Sequence, residues 1–224
     1  MHKRIMKLKK LSIIVVVGSA ACLFASASTG LSQGWYLNTA AGVSLENKIN
    51  LRTFVTPTPG VKLEFDPGAS VSVAGGYNFL PFLGVELQTG AIYNSVKNVN
   101  GFGDIDASLT HVPLMANVVF RYETARCPVI TYAGAGAGGD VSIATFNNVT
   151  ANGVFVDGSW STIEFAWQAF GGMRFKLNEN MSLGAGYKYY SVNHAAWDFG
   201  GIKDGLAIGH ARVHNILIDF NFRF

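Results

Sequence analysis

The last ten residues, 215–224, place Ile216, Ile218, Phe220, Phe222 and Phe224 on one parity and Asn215, Asp219, Asn221 and Arg223 on the other. Successive side chains of an extended strand point to opposite faces, so this spacing predicts a strand with one aromatic, greasy face and one polar face. The same two-residue period recurs at roughly 34–45, 69–79, 84–94, 109–122, 129–139, 162–176 and 181–192, with the final strand at 210–224. Each stretch is near the length at which a tilted strand crosses a bilayer.

Four of these stretches show the division plainly. Val85, Leu87, Thr89, Ala91 and Tyr93 oppose Glu86, Gln88, Gly90, Ile92 and Asn94. Val112, Leu114, Ala116, Val118, Phe120 and Tyr122 oppose His111, Pro113, Met115, Asn117, Val119 and Arg121. Phe165, Trp167, Met173 and Phe175 oppose Glu164, Gln168 and Arg174, while Leu183, Ala185, Tyr187 and Tyr189 oppose Lys188. In 129–139 the two faces stay undecided, because Ile130 and Tyr132 give way to alternating Gly and Ala. Pro113 removes a ladder donor, and a local bulge is expected there.

The connections alternate between long (46–68, 95–108, 140–161, 193–209) and short (80–83, 123–128, 177–180). That is the layout of an eight-stranded, antiparallel, up-and-down barrel with tight turns at one end. A soluble ligand-carrying barrel has the same alternation with the faces exchanged. The aromatics decide between them: Trp35, Tyr77, Phe79, Tyr122, Phe175, Phe222 and Phe224 fall at the short-turn ends, and Tyr93, Phe165 and Tyr189 toward the long-loop ends. Two belts at interface height belong to a membrane-spanning cylinder.

The beginning of the chain agrees. Lys3, Arg4, Lys7, Lys9 and Lys10 precede the apolar run 11–25, and Ala25-Ser26-Ala27 supplies small residues for cleavage, so residues 1–27 read as an export signal and 28–224 as the barrel domain. The signal holds 5 of the 17 Lys and Arg, leaving 12 bases against 14 acids, a balance of about −2 that gives nucleic-acid binding no support. Cys22 lies in the signal and Cys127 stands alone after it, so no internal disulfide is expected. Charged residues at 14%, with 26 Gly and 16 Phe, are unlike an ordinary soluble domain.

The stretches 65–79 (FDPGASVSVAGGYNF), 84–94, 111–122, 132–139 (YAGAGAGG), 165–190 and the terminal NFRF resemble the small outer-membrane β-barrel family that includes the OmpA transmembrane domain and the opacity-type surface proteins. The resemblance implies residence in a Gram-negative outer membrane, with both ends periplasmic and the long loops extracellular. It also implies contact with outer-membrane lipid, and reading of Phe220, Phe222 and Phe224 by the barrel-assembly machinery. No peptidoglycan-binding domain is expected after Phe224, so a tethering role is not expected to transfer.

An eight-strand lumen is only wide enough for side chains. Glu86, Arg121, Glu164, Arg174, Lys188, Asp219 and Arg223 are therefore expected to form inward, mutually neutralising clusters; a selective ion path lined by them is the alternative. Gly134, Gly136 and Gly139 have the spacing of a dinucleotide loop but lack the following helix, so they are expected to thin a strand where a bulky group approaches. His111, His194, His210 and His214 are expected at the rim or interface; His210, His214 and Asp198 are the least implausible hydrolytic set. Phe102, Phe155, Trp197 and Phe199 on the long loops are possible contacts for a host or cell-surface ligand. No enzyme activity, cofactor or metal is expected, and the chain is expected to be a monomer. Surface binding or a structural role leads, a narrow porin-like channel follows, and a lipid A-modifying enzyme trails.

Overall fold

The computed structural model describes residues 33–54, 56–58, 60–99, 106–124, 127–151, 154–199 and 202–224. Residues 1–27, expected to be an export signal, with Cys22, and also Phe102, lie outside them. The strands are β1 (Gly34–Glu46), β2 (Ile49–Phe54), β3 (Thr56–Pro57), β4 (Lys62–Phe65), β5 (Gly68–Leu80), β6 (Leu83–Val99), β7 (Ala107–Thr124), β8 (Cys127–Ala151), β9 (Val154–Lys176), β10 (Met181–Val192), β11 (Ala196–Phe199), β12 (Ile202–Ile208) and β13 (Ala211–Arg223).

Eight of them close a ring in the order β1-β5-β6-β7-β8-β9-β10-β13 and back to β1, every pairing antiparallel. The seam joins the first strand to the last, with Tyr36 opposite Arg223, and the Phe224 amide donates to the Trp35 carbonyl at 3.1 Å. A closed ring leaves no unpaired edge, the condition for crossing hydrocarbon with strands. The side-chain period then sorts itself by solvent: Leu87, Leu114, Ile163, Met173, Tyr187 and Ile218 stand exposed on the outer wall, whereas Asn38, Glu86, Gln88, Asn117, Gln168 and Asp219 are buried inside.

Two expectations change. Pro113 makes no bulge: the β6–β7 ladder lapses between Thr89↔Leu114 and Ile92↔His111 and resumes in the same register, so the missing donor costs a gap and no extra residue. The long connections are also largely strand. β8 and β9 stay paired as far as Ala151↔Val154, well past the rim reached by β1, β5, β10 and β13. Over that shorter side, β4 pairs with the top of β6, β2 with β4, β12 with β2 and β11 with β12, while β11 lies against β9. The cylinder thus has a second storey whose wall is completed by strands from the two loops 47–67 and 193–210.

Candidate functional site: the layered lumen

Near the short-turn end, charges neutralise in two groups. Arg174 pairs with Asp219, donates to Asn38 Oδ1 at 3.2 Å and lies 4.0 Å from the Tyr132 ring centre, and the Tyr132 hydroxyl donates to Asp219 at 2.8 Å. Arg223 and Lys176 both bind Glu123, at 2.7 and 2.8 Å. Arg121 donates from Nε to the Pro81 carbonyl at 3.0 Å, at the mouth. Small residues make room for these rings. A side chain at Gly76 would strike Tyr36, and one at Gly186 would strike Tyr132.

Above this lies an amide layer. Glu86 accepts from the Tyr36 hydroxyl at 3.0 Å and from Asn117 at 2.9 Å, and Gln168 donates to Gln88 and Asn117 at 2.5 and 2.7 Å. Lys188, buried, faces the Glu86 and Asp219 carboxylates. Gly134 and Gly136 turn inward, where added side chains would meet Phe170 and Asn117; Gly139 faces open space on the outer wall. The undecided strand therefore shows lipid its Ala133, Ala135, Ala137 and Gly139 face.

The third layer was not foreseen. His111, expected at the rim, is wholly buried: its Nδ1 lies 2.8 Å from Asp140 Oδ2 and its Nε2 3.4 Å from Glu46 Oε1. Ser142 and Tyr190 donate to Asp140 at 2.5 and 2.7 Å, and the Trp197 indole donates to the Ser142 carbonyl at 3.1 Å. Histidine, acid and serine are the residue types of acyl transfer, but Ser142 and Asp140 share the same imidazole nitrogen, and a relay needs them on opposite ones. The layer ties β1, β7, β8, β10 and β11 together across the bore.

Of the expected inward charges, Arg174 and Asp219 come into direct contact, and Lys188 and Glu86 sit near them. Arg223 instead finds Glu123, and Glu164 stands apart, higher on β9 opposite Asp140, accepting from Thr162 at 3.3 Å. Glu123, Lys176, Glu46 and Asp140 were missed because they fall at strand ends or beyond the expected strands. Of the hydrolytic set, His210 packs against His194 with tilted rings whose centres are 4.0 Å apart, while His214 meets the Tyr187 hydroxyl at 2.5 Å and Asn47 at 3.2 Å. Trp197, expected exposed, is only 2% accessible because it packs inside the second storey. Phe155 is 64% exposed; of Phe199 only the backbone, ending β11, is described.

At the loop end, Lys48 and Glu64 pair at 2.5 Å, and the Lys48 ammonium holds the Glu64 carboxyl below its usual range, first by that hydrogen bond and then by its charge. Arg52 donates to His194 Nε2 at 2.5 Å. Desolvation, then the neighbouring His210 and Arg52, keep His194 below the ordinary imidazole value.

Comparison with known proteins agrees with this geometry. The Neisserial surface protein A structure matches at a TM-score of 0.55 with 15% identity, covering 85% of this chain and 97% of that one. The outer membrane protein OprG from Pseudomonas aeruginosa matches at 0.53 with 15% identity, covering 86% and 98%. At such identities the likeness is one of fold. No curated protein matches in sequence. The model of the outer membrane protein beta-barrel domain family matches residues 14–224, nearly the whole chain, and the protein accordingly belongs to that family and resides in the cell outer membrane.

Proposed function

We propose that this is a non-enzymatic, non-conducting barrel that acts at the cell surface, as a structural element of the envelope or as an adhesin-like contact protein. The observation that carries this reading is the stacking of hydrogen-bonded layers across the bore, from Arg174–Asp219 through Glu86–Asn117–Gln168 to His111–Asp140. A filled lumen serves stability, which leaves the outer storey as the variable surface. Exposed Phe155 and the rim around Arg52 and His194 are the described positions able to meet a host or cell-surface ligand. Residues 1–27 act as the export signal, Phe220, Phe222 and Phe224 as the handle for the assembly machinery, and the barrel works as a monomer.

Recording in planar bilayers tests the plug: no steady conductance is expected from the wild type. A narrow channel is the second reading, favoured by a cavity of about 40 Å³ whose mixed lining includes Glu86, Arg121, Arg174 and Lys188. A steady current altered by Arg174→Ala or Lys188→Ala would establish it. Loop replacement with adhesion and envelope-integrity assays separates the surface roles: adhesion lost with integrity kept supports recognition, and neither lost supports a scaffold.

A further inference from the structure

The interior changes character along its axis. Below His111 the inward face mixes amides, hydroxyls and ions with a few apolar side chains such as Met115, Val119, Ile130 and Leu217; above it Leu51, Leu109, Phe146, Leu206 and Ile208 converge with Trp197 on a cavity of about 50 Å³. Both storey walls contribute, since Leu51, Trp197, Leu206 and Ile208 come from β2, β11 and β12, and Leu109 and Phe146 from β7 and β8. One water-sized occupant needs roughly 10–15 Å³, so the space exceeds a single solvent molecule several times over. Water is nevertheless a poor tenant, because it wants two to four polar partners. Among the described residues Ser108 is the one polar residue in the lining, and the nearby indole N–H of Trp197 is already committed to the Ser142 carbonyl. An apolar group, by contrast, regains the dispersion contacts that a void forfeits.

We propose that the outer storey is a binding chamber for a short, uncharged alkyl group, closed below by the His111–Asp140–Glu46–Tyr190 layer. The floor makes it a place of capture: directly beneath it lie hydrogen-bonded ions and amides that an entering alkyl chain would have to separate. The narrow volume selects a slender chain over a bulky ring.

The test uses the full-length barrel in lipid nanodiscs with labelled methyl groups, titrated with 1-pentanol. The methyl resonances of Leu51, Leu109, Leu206 and Ile208 are expected to shift and saturate together, while those of Leu114 and Ile218 on the outer wall drift linearly as the alcohol partitions into lipid. Ala144→Leu, which extends a lining residue into the cavity, is expected to weaken the saturable binding at least tenfold. Ala107→Val fills the same space from β7 and serves if the first variant fails the heat-shift mobility test of a folded barrel. Linear drift at every methyl, or saturation unchanged in the filled variants, would overturn the proposal.

Discussion

Asp140 accepts from His111, Ser142 and Tyr190 at once, so no other buried side chain of the third layer has more depending on it. Asp140→Asn removes the charge facing the imidazole and turns an acceptor into a donor aimed at donors. Breaking a buried pair costs about 3–5 kcal/mol, and a loss of that order is expected in urea unfolding of the bilayer-inserted protein; Ser142→Ala, which deletes the bonds to Asp140 and to the His111 ring, should cost about 1–2 kcal/mol. His194 offers a pH prediction. The folded rim holds it below the ordinary imidazole value, so the unfolded chain takes up more protons as pH falls through roughly 6.5. The rim contact with Arg52 therefore stabilises above that pH, and is lost progressively as pH drops toward the folded value. An NMR titration of the His194 ring checks the sign: a midpoint at or above that of a free imidazole would refute it.

At the scale of a strand, the outer face is defined by lipid. Ile218 lies midway along β13 between Phe222 and His214 on the exposed parity, so Ile218→Arg is expected to cost about 2–4 kcal/mol near the bilayer midplane. The folded fraction on unheated gels would report it. The eight wall strands were legible because alternation is a local property: Val85 to Tyr93 and Val112 to Tyr122 announce their faces without knowledge of their neighbours. The inward parity of His111 was equally visible, beside Met115 and Asn117. Its partners were not, because Glu46 and Asp140 lie in stretches read as loops: Asp140 is brought in by the β7–β8 register, and only closure of the ring brings Glu46 of β1 across the bore.

For the molecule as a whole, the two storeys differ in what holds them. The lower ring is complete without β2, β3, β4, β11 and β12, since all eight of its strands pair among themselves. Replacing 47–67 and 193–210 with short turns is therefore expected to leave a barrel that still inserts and still shows the mobility shift of the folded form. Hydrogen exchange should then quicken at the tops of β6 and β9, which lose the strands packed beside them. Failure to fold would show that the upper wall is required for closure.

The sequence by itself determined the faces of the strands other than 129–139 and the even strand number, because period and composition act over a few residues and the bilayer enforces them. Tertiary structure alone decided which charges meet, why Trp197 is buried, and how two loops become a wall. These depend on contacts between residues up to a hundred or more positions apart, such as Glu123 with Arg223 and Ser142 with Trp197. Such contacts are set by register and closure, which no local pattern encodes.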